Sequence, residues 1–314
     1  MQTSPSVMFS LLIPVHNRKR LISECIDSVL SQTFKRFEVI VIDDGSTDGT
    51  DEVLRRYGDR IKVLRQENQG PEVARNLGAT VACGEYLALL DSDDMFFPWT
   101  LAVYHQLVER FNYPSLIVGR LHHFDDDGRA WPSPEWPQVI EAHPSADFVS
   151  KEISLGVSSS SIVVRRALFQ QVGGLRHTSP DTFQQDTFDS LLRFGASPNC
   201  VVLGSPPTII YRLHATNAIL DVGPNIMGAL RVIETERKGL YPGGRQRSFG
   251  RYAYIGGMTW CWAQHAIKAR EYGLAAKLLL AGAPMVFAGT LKRLGVRLRG
   301  PAAPIQLPVV RNEP

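Results

Sequence analysis

The stretch Phe37–Thr50 reads FEVIVIDDGSTDGT. Its first half is an almost unbroken apolar run rich in β-branched residues, the pattern of a strand covered on both faces. The run ends on two adjacent carboxylates, Asp43 and Asp44, and Gly45-Ser46 then turns the chain. Asp48 is placed to cap a short helix over Asp48–Tyr57. The same unit repeats on either side. FSLLIPV (Phe9–Val15) is a strand, and Arg18–Gln32 carries apolar residues at helical spacing. Downstream, IKVL (Ile61–Leu64) and EYLALLD (Glu85–Asp91) are strands. Pro71–Cys83 and Pro98–Phe111 are helices. Strands alternating with helices predict an α/β fold, with a mostly parallel central sheet and helices on both faces.

In such sheets ligands bind beyond the carboxyl ends of the strands. His16 and Asn17 follow the first strand, Asp43 and Asp44 the second, and Asp91-Ser92-Asp93-Asp94 the fourth. Two carboxylates one residue apart can aim at one divalent cation, because Mg²⁺ and Mn²⁺ prefer oxygen ligands and are commonly completed by substrate phosphates. An N-capping turn before the next helix is the simpler alternative. A carboxylate at Asp44 can accept from the N3–H of a uracil, and Gly45 lets backbone approach a ligand; an ordinary turn-rich loop accounts for the same residues.

Four ordered motifs go further. They are Ser10–Asn17 (SLLIPVHN), Val41–Thr50 (VIDDGSTDGT), Asn68-Gln69-Gly70 through Ala74-Arg75-Asn76, and Leu89–Asp94 (LLDSDD). Together they closely resemble glycosyltransferase family 2. The resemblance implies a GT-A fold, a nucleotide-sugar donor that is usually UDP-linked, a divalent metal (Mn²⁺ or Mg²⁺), and inversion at the anomeric carbon. By this resemblance Pro14, His16 and Asn17 lie against the nucleoside, with histidine where the family usually has tyrosine. Asp44 reads the uracil with Asp43 beside it, and Arg75 lies near the base and diphosphate. Asp91 and Ser92 lie on the ribose side, and Asp93 is the metal ligand.

Weaker matches continue through Ser159–Arg166, Gly173-Gly174-Leu175, Phe183–Asp189 and Tyr211–His214 (YRLH). Within them Asp186 is the general-base candidate, with Asp189 and Asp181 behind it; a helix-start role is its simpler reading. Gln185 stands where the family normally has an acid. His214 is a second metal-ligand candidate. The resemblance covers about Phe9 to Asn217.

His122 and His123, followed by Asp125–Asp127, read as a solvated hairpin and not as a metal cluster, because neighbours on a strand face opposite ways. Trp131 and Trp136 lie in a Pro-rich loop, where stacking on an acceptor sugar and plain packing are both open.

The charge is unevenly spread. Arg237–Pro314 holds 13 Lys+Arg against 2 Asp+Glu, a net +11, whereas Met1–Glu236 holds 21 against 29, a net −8. The division expected is residues 1–220 as the transferase domain and 221–314 as a basic tail, helical throughout and broken at Tyr241–Gly244 and Pro284. The tail suits an anionic membrane surface, which it would meet peripherally at the inner face of the cytoplasmic membrane. No nucleic-acid motif accompanies the charge, so nucleic acid is not an expected partner. Gly273–Leu291 is apolar but contains Lys277 and Pro284, and reads as a buried or interfacial helix pair. No secretory signal is expected at the N-terminus. Four scattered cysteines without CxxC spacing fit reduced thiols in the cytoplasm. Hydrophobic residues at 44% and charged residues at 21% exclude a disordered or fibrous chain.

The function expected is transfer of a sugar from a nucleotide donor to a hydroxyl of a glycan or lipid-linked acceptor. The alternative is a nucleotide-sugar-binding protein without turnover. A nucleotidyltransferase is disfavoured, because the loop after the first strand, His16-Asn17-Arg18-Lys19, has no glycine.

Overall fold

The structure, a computed structural model of the 314-residue chain, describes residues 7–125, 135–150, 156–176, 186–214, 217, 220–299 and 303–310. The first half alternates as expected, with one short strand, β5, in addition: β1 (Phe9–Val15), α1 (Ile22–Leu30), β2 (Phe37–Asp44), α2 (Thr50–Arg55), β3 (Lys62–Gln66), α3 (Pro71–Val81), β4 (Tyr86–Leu89), β5 (Met95–Phe96) and α4 (Thr100–Arg110). There follow β6 (Leu116–Val118), β7 (Leu121–Asp125), β8 (Val139–Ser145), β9 (Ile162–Arg165), α5 (Arg166–Gln171), α6 (Asp186–Phe194), β10 (Cys200–Ser205) and β11 (Ile209–Leu213). The C-terminal part is α7 (Val222–Arg237), α8 (Ser248–Lys268), α9 (Tyr272–Arg299) and β12 (Ile305–Pro308).

Among the described residues the main sheet has nine strands, in the order β12-β8-β10-β6-β9-β4-β1-β2-β3. The sheet is parallel through β4, β1, β2 and β3. β9 runs against β4 and β6, and β8 against β10 and β12. Both faces are covered, which is why the strands read as continuous apolar runs. On β1, Phe9, Leu11, Ile13 and Val15 join the core under α1, α2 and α4, while Leu12 joins the opposite core with α3, α5 and α6. A small sheet, β5-β11-β7, stands beside the site.

Two expectations about the tail are corrected here, and two further elements add to the sequence reading. Ser115–Phe124 is two strands in different sheets, and β7 pairs parallel with β11; His122 and His123 are exposed on β7, and the residues that follow Asp125 lie outside the described ones. β8 was not anticipated: VIEAHPS alternates weakly and contains Pro144. Pro284 does not break the tail, because α9 runs through it with Pro284 on its exposed side; the break falls instead between Lys268 and Tyr272. Finally, the tail is not wholly helical, since β12 returns to pair with β8 at the edge of the main sheet.

The tail helices build a third core around Ile226, Ile233, Ile255, Trp262, Leu278 and Met285. Val149 and Leu192 of the preceding region belong to that core as well. Arg251 of α8 is buried and forms an ion pair with buried Glu236 of α7 at 2.7 Å. Its other nitrogens donate to the carbonyls of Pro242 and Gly244, closing the α7–α8 connection.

Candidate active site

The ends of β1, β2 and β4 open into a cleft of about 340 Å³. Pro14, His16, Asp44, Arg75, Asp91, Ser92 and Asp93 all line it. The polar ones at the strand ends are held mainly by contacts with other elements. His16 Nδ1 donates to the Asp44 carbonyl at 2.8 Å, which leaves Nε2 to accept from the Asn17 and Asn68 amides at 3.0 and 3.1 Å. Asn17 sits at φ +52°, where asparagine is tolerated, and its Oδ1 accepts from the Thr47 N–H at 2.8 Å. It braces the first loop against the second.

The two adjacent aspartates of β2 part company. Asp43 turns to β3 and pairs with Arg65 at 2.9 Å, away from the cleft lining. Asp44 reaches the cleft, and its carboxylate accepts from Gln66 Nε2 (2.7 Å) and from the N–H groups of Gln69 (2.9 Å) and Gly70 (2.8 Å). It therefore fixes the loop that leads into α3. On α3, buried Arg75 makes a close ion pair with Asp91.

The Asp91–Asp94 turn is cross-linked from residues far along the chain. The Asp91 N–H donates to Ser160 Oγ at 3.0 Å, and Ser160 Oγ–H donates to Asp94 at 2.6 Å. Arg212 of β11 donates from its backbone to Asp94 Oδ1 and from Nε to the Asp93 carbonyl, both at 3.2 Å, and its guanidinium also pairs with Glu24. His214 Nε2 lies 3.1 Å from Asp93 Oδ2, and Arg18 Nε lies 3.7 Å from the same oxygen. The Tyr-Arg-x-His stretch thus acts on the acidic turn: Arg212 shapes it and His214 meets Asp93. His214 stands behind Asp93, outside the cleft lining.

These contacts separate the neighbouring carboxyls. Burial opposes ionisation of Asp93, but the His214 hydrogen bond and the Arg18 guanidinium outweigh it and hold the group below the usual range. Asp94 is pushed well above that range, first by burial and then by the charges of Asp91 and Asp93. Cys25 beneath the turn is buried, its Sγ 3.5 Å from the Asp91 carbonyl. Burial, and then the same carboxylates, push its thiol up.

A divalent cation fits part of this donor set. Among the described residues no three His, Cys, Asp or Glu side chains converge on one point. Asp93 Oδ2 and His214 Nε2 are two suitable atoms, and donor phosphates are the usual complement of a site so sparse in protein ligands.

Asp186 heads α6, and its neighbours Thr187 and Phe188 line the cleft; its own side chain, Asp181, Gln185 and Trp131 lie outside the described residues. Asp189 serves a different purpose. It pairs with Arg176 at 3.2 Å and accepts from the Tyr241 hydroxyl at 2.8 Å, tying α6 to the α7–α8 connection. Trp136 packs edge-to-face on Trp99 at 5.8 Å and is not among the residues that line the cleft. Residues that sequence reasoning missed complete the walls: Tyr211 and Asn217 beside the acidic turn, Ser158 and Ser159 before β9, and Asn225 and Trp262 from α7 and α8. Tyr211 lies inside the Tyr-Arg-x-His stretch, whereas Asn225 and Trp262 carry no local signal that their helix faces close a cleft.

Residues 10–173 match the family described as Glycosyl transferase family 2. An uncharacterized glycosyltransferase of Rickettsia conorii is 44% identical over 147 residues, which cover 44% of this chain and 24% of that protein. Glycosyltransferase GlyG of Streptococcus pneumoniae is 33% identical over 125 residues, covering 38% of this chain and 41% of its own. The chain therefore matches well under two thirds of the length of these curated relatives. The fold resembles that of S. aureus TarS residues 1–349 in complex with UDP-GlcNAc, with a TM-score of 0.55 and 16% identity over 93% of this chain and 92% of that one.

Proposed function

The chain belongs to glycosyl transferase family 2, and from that premise we propose that it is an inverting, metal-dependent glycosyltransferase using a UDP-sugar. The observation that carries the reading is the convergence of Asp91, Asp93, Arg75 and His16 in one cleft at the ends of parallel strands, with His214 brought to Asp93. The nucleoside lies against Pro14 and His16, with Asp44 toward the base. Asp91 and Ser92 take the ribose side. Asp93 and His214 hold the cation, Mn²⁺ or Mg²⁺. When bound, that cation neutralises charge on the departing diphosphate. Asp93 suits the role because it is held ionised.

Asp186 is the general base. Its carboxylate accepts the proton of the acceptor hydroxyl as that oxygen bonds to the anomeric carbon and the bond from carbon to diphosphate oxygen breaks. Attack from the face opposite the leaving group inverts the centre. Trp262 and Phe188 give the cleft an apolar wall suited to the acceptor, a sugar of a glycan or lipid-linked intermediate. All four cysteines are free thiols, which supports a cytoplasmic setting.

The test is UDP release from a panel of UDP-sugars, with Mn²⁺ and then with EDTA. Turnover that EDTA abolishes is expected; UDP-sugar binding with no turnover on any donor would make the protein a binding module. In the same assay Asp186→Asn should lower kcat roughly 100-fold or more while donor affinity holds. A smaller loss would remove Asp186 from the role.

A further inference from the structure

We propose that the outward face of α9 docks the protein on an anionic lipid bilayer, with the helix lying along the surface. The inner face of α9 is already used. Gly256 of α8 meets it so closely that an added Cβ would lie 1.9 Å from the Met285 carbonyl oxygen, and a Cβ on Gly282 would lie 2.7 Å from Thr259. Ala275, Leu278, Met285 and Ala288 are buried in that contact. The outer face carries Leu280, Pro284, Phe287, Leu291, Leu294 and Leu298, all exposed; Leu280 and Leu298 are 78% and 79% exposed and Phe287 65%. Successive steps of three and four residues keep them in one line, about 27 Å long at 1.5 Å per residue. Apolar side chains set in a continuous row on a surface mark an interaction site more than scattered ones do.

Charge decides the occupant. Tyr272–Arg299 contains no Asp or Glu. At about 100° per residue, Lys277 and Arg297 fall on opposite borders of the apolar row, and both are exposed. An apolar row edged by cations complements anionic headgroups over an acyl layer. A second copy of the helix would bring the same cations against them. By length and composition α9 could also cross a bilayer. Its glycine-tight contact with α8, the bond from Lys292 Nζ to the Val149 carbonyl (2.7 Å) and the return of β12 to the main sheet tie it along the protein instead. Val296 is half-buried and stands outside the row, which Leu280 and Phe287 carry about three turns toward the N-terminus from Leu291.

The experiment is co-sedimentation of the full chain with phosphatidylcholine vesicles, and with the same vesicles containing phosphatidylglycerol, at low and high salt and without nucleotide. Binding to the anionic vesicles, weakened by salt, is expected. The variant L280S/F287S/L294S should lose at least about tenfold of it. K277Q/R297Q should lose most of the preference for anionic vesicles. The changes fall on exposed positions, and an unchanged melting curve and UDP-sugar turnover establish that the variants fold. No sedimentation of the wild type, or binding indifferent to the serine variant, overturns the proposal. So does a dimer by light scattering that the serine variant dissociates, which would give the face to a second copy. Vesicle binding needs no donor, so it stands or falls independently of the transferase reading.

Discussion

The Asp91–Asp94 turn and the α8–α9 pair are both held by residues distant in sequence, but by opposite means. The turn is fixed by directional polar bonds from Ser160, Arg212 and His214. The helix pair is fixed by the absence of side chains, with glycine backbone against backbone. Polar bonds hold a carboxylate at a set position and leave its chemistry tuned, Asp93 toward the anion and Asp94 toward the acid. Close packing fixes a helix axis and leaves its other face free for the surroundings. Precision at a site and freedom at a surface thus come from different kinds of contact.

The sharpest way to break the polar side of this contrast is Asp93→Ala. Calorimetric titration with UDP and Mn²⁺ should show donor affinity falling roughly 100-fold or more, because even partners behind a metal's direct ligands are worth about 10–100-fold. The melting curve should hold, since the bonds from Ser160 and Arg212 that fix the turn do not use the Asp93 carboxylate. Near-normal affinity would remove Asp93 from the metal role.

Arg251→Met tests whether the helical region also depends on polar bonds. It would strand Glu236 in a buried position and cost about 3–5 kcal/mol in denaturant unfolding. A cost under about 1 kcal/mol would mean that the pair contributes no more than a surface salt bridge.

Gly256→Ala probes the packing directly. A Cβ 1.9 Å from the Met285 oxygen forces α8 and α9 apart and should cost about 1–3 kcal/mol. A neutral result would show that the crossing is loose.

The smallest effect is expected at Asp94→Asn. Because Asp94 is driven toward its protonated form, Asp94→Asn removes no charge; its NH2 faces Ser160, whose hydroxyl can turn to accept, so the change should cost no more than the one bond given up, about 0.5–1.5 kcal/mol. It should also leave UDP affinity near wild type. A large loss would show that Asp94 works as an anion.

The sequence reading reached the first half of the fold because β1 to β4 are continuous apolar runs separated by helical periods, and such runs have few other solutions. It reached the strand-end residues for the same reason. It could not reach their partition. Asp43 and Asp44 look equivalent as letters, and only the pleat sends one to Arg65 and the other to the cleft. It read Pro284 as a stop because proline removes a helix bond, yet an exposed proline can be carried by a helix already packed on its other face. β12, IQLP, is too short to show a period, and its strand character comes from the edge it meets. Asn225 and Trp262 reach the cleft through the placement of whole helices, which local pattern does not encode.

The pairing of β12 with β8 also bears on the order of folding. Residues 305–308 close on residues 139–142, with all of α5 to α9 between them. During synthesis β8 is made long before its outer neighbour, so until the last strand arrives that side of the sheet presents unpaired backbone groups, the template on which chains stick to one another. A chain cut after Arg299 would keep that exposure permanently. Its expected failure is slow association through the β8 edge, with the cleft still formed.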